Sequence, residues 1–254
     1  KGVGVTSKNI NNKEFTNIIF LNRDKIKEAL TYSTHLLITA PPDDKGCFIF
    51  NKFSSEILAS NIKSLIYISS TGVYGNHNGD WVDENSLLKA KSQFDKIRIK
   101  SEKQWKTFCK KNNLNLNIVR ISGIYGPQRI IKFNKKKLEV VIKKNHYFSR
   151  IHVLDAARLI SKIILKNYSN EIWNLSDDFP SSREIFMLEA IKIKNIKNFS
   201  MIPFEEYEAT LSDKAKKFWL NNKRVSNFKV KKYFEYRFIF PNYRDGIKNL
   251  KEYL

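Results

Sequence analysis

The run Ser64-Leu-Ile-Tyr-Ile-Ser-Ser-Thr-Gly-Val-Tyr-Gly75 constrains this chain more than any other stretch. Leu65, Ile66, Tyr67 and Ile68 form a short, continuous apolar segment, the pattern of a strand buried on both faces. A strand of that kind belongs inside a parallel sheet whose two faces are covered by helices. Three hydroxyl residues follow at once, Ser69, Ser70 and Thr71, and Gly72 then lets the backbone turn. In open α/β sheets, ligands bind outside the carboxyl ends of the strands. The run therefore delivers polar groups to the place where a ligand would lie. Taken alone it also fits a buried strand closed by turn-forming serines.

The flanking chain repeats the strand and helix alternation. Strands are expected at Gly2 to Thr6, Ile18 to Leu21, His35 to Thr39, Leu114 to Ile121 and Glu171 to Leu175. Helical spacing is read over Asp24 to Leu30, Phe50 to Ile62, Phe94 to Lys111, Phe133 to Lys144, Asp155 to Leu165 and Ser182 to Ile193. Phe148 to Val153 is short and extended. Strands separated by helical stretches imply right-handed crossovers and a parallel sheet. The expected architecture is α/β, a Rossmann-type parallel sheet flanked by helices with a smaller carboxy-terminal substrate lobe. The sheet domain is placed at 1–126 and the lobe at 127–254, with some lobe segments returning to the sheet.

At 254 residues the chain can bury a substantial core. Its net charge of +21 raises the question of nucleic acid. The basic residues are 36 lysines and only 10 arginines, spread over most of the chain. Base and phosphate recognition favours arginine's planar fork, so solvated helix faces account for the lysines and a nucleic-acid partner is not expected. Attraction to anionic metabolites survives either way. No apolar run approaches the ~20 residues of a membrane span, and Cys47 and Cys109 fit no disulfide framework or metal spacing. A cytoplasmic protein with a small-molecule substrate, no membrane, no metal and a possible homodimeric state is the expectation.

Four stretches, in order along the chain, carry a resemblance: Ile68-Ser-Ser-Thr-Gly-Val-Tyr-Gly75, Arg120-Ile-Ser-Gly-Ile-Tyr-Gly-Pro127, Arg150-Ile-His-Val-Leu-Asp155 and Trp173-Asn-Leu-Ser-Asp-Asp178. Asn222-Lys-Arg-Val-Ser-Asn227 with Pro241-Asn-Tyr-Arg-Asp-Gly246 adds a fifth. Together they resemble the extended and atypical short-chain dehydrogenase/reductase proteins, the group that contains NAD-dependent epimerases and dehydratases. The resemblance implies a sheet holding NAD or NADP and a substrate bound in the carboxy-terminal lobe. It also implies a glycine-rich phosphate loop after the first strand. Gly2 and Gly4 do not form that loop and match the group's second strand better, so the chain is read as lacking its natural start. The end of that second strand normally selects the cofactor. Here it is Thr6-Ser7-Lys8, hydroxyls plus an ammonium, which favours NADP over NAD. Ala40 and Pro41, after the third strand, are expected to lie along the dinucleotide, and Ser69 beside it.

The same resemblance sets a catalytic problem. The group's reaction uses a tyrosine to move a proton, a lysine four residues later to hold the nicotinamide ribose, and a serine to polarise the substrate oxygen. Ser70 matches the serine. The tyrosine and lysine positions fall on Phe94 and Arg98. Phenylalanine has no proton to give, and arginine keeps its own throughout the physiological range, although it can still donate to a ribose or a developing oxyanion. Tyr74, Tyr125 and Lys96 are the candidate substitutes, each also readable as packing or surface. Thr71 and Arg150 are the expected substrate contacts, Arg150 as a clamp for phosphate or carboxylate. His152 and Asp155 read as scaffold. A cofactor-binding sensor or scaffold without turnover remains the alternative to an enzyme, and a basic RNA-binding derivative of the same fold, favoured only by the charge, is the third reading.

Overall fold

The computed structural model describes residues 3–6, 18–20, 23–127, 129, 138–166, 170–212, 216 and 219–249, with the backbone alone at 5, 6 and 18–20. In chain order the amino-terminal elements are β1 (Gly4–Thr6), β2 (Ile18–Phe20), α1 (Arg23–Thr31), β3 (His35–Ile38), α2 (Phe48–Leu58) and β4 (Ser64–Ser70). A 3-10 turn over Thr71–Tyr74 leads to β5 (Trp81–Val82), α3 (Gln93–Lys111), β6 (Asn115–Ile121) and β7 (Gly123–Tyr125). Then come β8 (Glu139–Ile142), β9 (Arg150–His152), α4 (Val153–Lys166), β10 (Glu171–Leu175), α5 (Arg183–Ile193), β11 (Ser200–Pro203) and α6 (Phe204–Thr210). The last described elements are β12 (Arg224–Val225), α7 (Phe228–Phe234) and α8 (Tyr243–Asn249).

The central sheet has the order β10-β6-β4-β3, and every neighbouring pair is parallel. α2, α3 and α4 lie in the crossovers that parallel pairing requires. Side chains alternate across β4. Leu65 and Tyr67 enter the core built with Phe53, Ile57 and Trp105, while Ile66 enters a second core with Leu159, Ile163 and Val230. Helices α2 and α3 thus cover one face, and α4 and α7 the other. That two-sided burial is why β4 reads as a continuous apolar run, and it matches the expected Rossmann-type α/β class. β10, from the second half of the chain, closes one side of this sheet beside β6, and β3 forms its other edge. β1 and β2 make a separate parallel pair.

The ends of α3 are written in its sequence. Ser92 caps the amino terminus by accepting the amide of Asp95, and Lys110 and Lys111 complement the dipole at the other end. The expected helix over Phe133 to Lys144 is corrected. Glu139–Ile142 is strand β8, paired in parallel with β11, because the Val140-Val141-Ile142 run favours the extended pleat once a partner is present. Residues 133–137 of that expectation lie outside the described residues. The Phe148 to Val153 segment becomes β9, which pairs with β7. β12 pairs with β5 and so brings the chain near residue 224 back over the turn that follows β4.

Asp155, in the first turn of α4, fixes the carboxy-terminal segment to this frame. Its carboxylate accepts from the Tyr236 hydroxyl at 2.7 Å and from the amides of Ile239 and Phe240, each at 2.9 Å. Hydrogen bonds to charged groups contribute about 1.5–3 kcal/mol each and are not additive. Asp155→Ala is expected to lower the unfolding free energy by about 3 kcal/mol in a urea titration. A loss under about 1 kcal/mol would contradict the role given to this carboxylate.

Candidate functional site

A buried ionic network holds the carboxyl end of β4 against α3. Arg120 on β6 is 2% exposed. It donates from Nε and Nη2 to the two Glu102 oxygens at 3.1 and 2.7 Å, and from Nη1 to the Tyr74 hydroxyl at 3.0 Å. Ser69 donates to the same carboxylate at 2.6 Å. The Tyr74 hydroxyl passes its own hydrogen to Asn174 on β10 at 2.7 Å. Burial works against the Arg120 charge, but Glu102 and Tyr74 more than offset it and hold the guanidinium protonated. The bonds join β4, the turn, α3, β6 and β10. They set which turn of α3 faces Ser70.

One and two turns before Glu102 on α3 stand Arg98 and Phe94. The Phe94 ring is 55% exposed and lies under the Arg98 guanidinium at 4.8 Å. Arg98 stands one turn from Glu102, which bonds Ser69 on β4, so this part of α3 lies against that strand. Arg98 Nε is buried and has no hydrogen-bond partner among the described residues. Ser70 caps the 3-10 turn by accepting the amide of Gly72 at 3.1 Å. That bond leaves its own hydroxyl hydrogen without an acceptor among the described residues. Ala40 and Pro41 follow β3 in the neighbouring parallel strand, Ala40 half-buried and Pro41 exposed. Ser70, Arg98, Ala40 and Pro41 therefore collect at the carboxyl edge of β3 and β4, together with Thr71, which opens the turn and is largely covered.

Other expected site residues are placed elsewhere. Ser69 points to the α3 side of the sheet and is committed to Glu102, since adjacent strand residues face opposite ways. Tyr74 is fully buried, and burial pushes its hydroxyl up to about 12, so it is a member of the network and not a proton donor to the crevice. Tyr125 is buried between His152, Phe186 and Gly246, and burial raises its pKa still further. Arg150 is corrected from substrate clamp to brace. Its Nη1 donates to the backbone oxygens of Phe148 and Ser181 and to the Ser181 hydroxyl, its Nη2 to the Ser182 oxygen. The guanidinium is stacked 4.4 Å from the Phe186 ring centre. Lys96 is exposed, as a surface residue. Ser7 and Lys8 and the Thr6 side chain lie outside the described residues.

A second polar group borders the crevice, and only its carboxy-terminal motif was visible in the sequence. Asp95, on the first turn of α3, sits against the turn so closely that a Cβ added to Gly72 would fall 2.2 Å from Asp95 Oδ1 and 3.4 Å from Ser70 Oγ. Asp95 Oδ2 accepts from Ser92 Oγ at 2.6 Å and from Asn221 Nδ2 at 3.2 Å. Lys223 and His146 are buried nearby. Among the described residues, no group of three or more His, Cys, Asp or Glu could hold a metal. No described helix is long and apolar enough to cross a membrane.

A strand-ended crevice over a parallel, doubly covered sheet defines a fold of the Rossmann type. Residues 52–176 match the NAD dependent epimerase/dehydratase family. A functionally unknown conserved protein from Silicibacter pomeroyi is similar in structure, 28% identical, with a TM-score of 0.84 over 98% of this chain and 89% of that one. The dTDP-glucose 4,6-dehydratase DesIV of Streptomyces venezuelae, solved with NAD and TYD bound, is 14% identical with a TM-score of 0.74 over 95% of this chain and 80% of its own. The UDP-glucuronic acid 4-epimerase of Bacillus cereus is 17% identical, with a TM-score of 0.73 over 94% and 82%. Over 206 residues the chain is also 28% identical to a probable serine/threonine-protein kinase of Dictyostelium discoideum, covering 75% of this chain but 14% of that much longer protein. Just under half of the chain thus matches the NAD dependent epimerase/dehydratase family, and the fold it shares with these structures is Rossmann-type α/β.

His146 gives the site a pH dependence. It is 3% exposed, and burial together with the Lys143 charge pushes its pKa down to about 4, against the pull of the Trp219 carbonyl it contacts at 3.0 Å. The unfolded chain binds this proton at an ordinary value near 6.5. Between those values the unfolded state holds more protons, so stability falls as pH drops from about 6.5 to about 4. The expected loss is about 2–3 kcal/mol. Urea titrations at pH 7 and 4.5 are expected to show a smaller acid loss in His146→Gln than in the parent. An equal loss in both would contradict it.

Proposed function

We propose that the protein binds a nicotinamide dinucleotide at the carboxyl edge of β3 and β4 and acts as an oxidoreductase or epimerase-like enzyme on a small anionic metabolite or sugar nucleotide. One observation supports this most strongly. Arg98 presents a buried, unpartnered Nε beside β4, next to a Ser70 hydroxyl whose hydrogen is unused among the described residues. A buried donor left unpaired costs ~1–3 kcal/mol, and a ribose hydroxyl would relieve that cost. Ala40 and Pro41 would form the wall along the dinucleotide. When bound, the nicotinamide supplies hydride transfer. Ser70 would donate to the substrate oxygen, and Arg98 would hold the ribose.

The preference for NADP over NAD belongs to the same proposal and rests on Thr6-Ser7-Lys8, where a 2′-phosphate would meet hydroxyls and an ammonium. The two relatives with NAD in their structures, the dehydratase and the epimerase, share the fold and leave that choice to this chain's own residues. The exposed Phe94 supports a second reading, a protein that binds the dinucleotide without turning over.

Fluorescence titration with NADPH and NADH tests the binding. NADPH is expected to bind more tightly, and Arg98→Met to weaken it roughly 10-fold, about 1.4 kcal/mol. Equal affinity for the two cofactors would remove the NADP preference, and unchanged affinity in the variant would remove Arg98 from the site. Single-turnover oxidation of bound NADPH by a panel of carbonyl compounds separates enzyme from sensor.

A further inference from the structure

The outer side of the α2–α3 layer carries a groove that the crevice does not use. Its volume is about 680 Å³, and it is lined by Phe50 of α2 and by one long stripe of α3 and its carboxy-terminal cap. Within that stripe Lys96, Lys100, Lys103, Thr107 and Lys111 recur every three or four residues, so they stand along one edge of the helix. The four lysines are exposed. None of them takes part in an ion pair among the described residues.

The floor of the groove is apolar and fixed in shape. Phe50 and Phe108 are half-buried, and they meet each other and the buried Trp105 edge to face, with ring centres 5.1 to 5.8 Å apart. Gln104 ties the two helices together, its Oε1 accepting the Cys47 amide at 3.0 Å and its Nε2 donating to Asn51 at 3.3 Å. The acids of α3 are Asp95 and Glu102, and both are buried, one against the Gly72 turn and the other on Arg120. Like charges three and four apart repel along a helix. The lysine edge therefore carries a repulsion that no carboxylate of its own helix offsets.

We propose that this groove docks an acidic amphipathic helix of another protein, with an apolar stripe seated on Phe50 and Phe108 and carboxylates set against Lys96, Lys100, Lys103 and Lys111. Charge complementarity selects this occupant, because an apolar floor edged by cations matches an apolar stripe flanked by acids. The edge from Lys96 to Lys111 runs about 22 Å, the length of a helix of about 15 residues. A second copy of this chain would lay the same lysines against each other, on a protein of net charge +21. Among the described residues no arginine lines the groove, and a phosphate backbone offers nothing to its aromatic floor. The inference is independent of the dinucleotide reading.

The probe is a labelled synthetic peptide of about 15 residues, stapled as a helix, with leucines three and four apart and glutamates on both flanks. Fluorescence anisotropy reads its affinity. Scattering the same leucines around the helix, at unchanged composition, is expected to weaken binding at least ~10-fold, and Lys100→Glu with Lys103→Glu to weaken it about as much. Thr107 is exposed in the middle of the stripe. Thr107→Arg adds bulk there together with another positive charge, so a seated helix is expelled while simple attraction between opposite charges is strengthened. Weaker binding in that variant is expected. Hydrogen exchange with the peptide bound is expected to show protection in α2 and α3. Circular dichroism checks each variant, and if the double lysine variant fails to fold, Thr107→Arg and the exchange map decide. No binding by the parent, equal affinity for the scattered peptide, tighter binding in Thr107→Arg or protection elsewhere overturns the proposal. So does displacement of the peptide by single-stranded RNA of equal charge, which assigns the groove to nucleic acid. A parent dimer in light scattering that Thr107→Arg dissociates overturns it in favour of a second copy.

Discussion

The Arg120–Glu102 ion pair is the interaction on which the rest of the structure depends. Two unit charges, each 2% exposed, survive in a dry interior because each is matched by the other through two hydrogen bonds. Ser69 and Tyr74 complete the match, and Asn174 extends it across β6 to β10. A buried pair of this kind adds little net stability over a well-packed apolar core, but removing one partner leaves the other stranded, at a cost of about 3–5 kcal/mol. Its value is geometric. It locks the rotation and register of α3 against β4, and with them the positions of Phe94, Asp95 and Arg98 relative to Ser70.

Once α3 is locked, the unusual residues of the site become a coherent set. The two positions where the family resemblance expects tyrosine and lysine carry a ring and a guanidinium stacked on each other. The guanidinium can bind but cannot exchange a proton near neutrality. One helix position from Phe94, Asp95 faces the turn that Ser70 caps. The β5–β12 pairing explains why so short a strand as β12 matters: it follows the segment whose Asn221 bonds Asp95 at the edge of that turn.

Much of this was legible in the sequence, for a physical reason. β4 is buried on both faces and its Leu65 to Ile68 stretch reads as an apolar run, and the hydroxyls after Ile68 mark the crevice end. Ser70 and Arg98 come from motif spacing, and the structure puts Ser70 at the end of β4 and Arg98 on α3. The misreadings share one cause, which is that chemistry decided by distant partners is invisible locally. Ser69 looks like Ser70 until strand alternation turns it toward Glu102. Arg150 reads as a clamp until the carbonyls of Phe148, Ser181 and Ser182 absorb its donors. Val140 to Ile142 fit a helical period until β11 offers a pleated neighbour. Asn222 reads as a turn residue until the loops near residues 77 and 145, far away in the chain, bond its backbone and side chain.

Hydrogen–deuterium exchange of the protein with and without NADPH tests the central claim most directly. The account predicts added protection confined to the segments after β3 and β4, around residues 39–42 and 69–75, and to the first two turns of α3. Protection there would place the dinucleotide at the edge that the Arg120–Glu102 pair holds in register. No change on adding the cofactor, or protection only in segments remote from that edge, would contradict it.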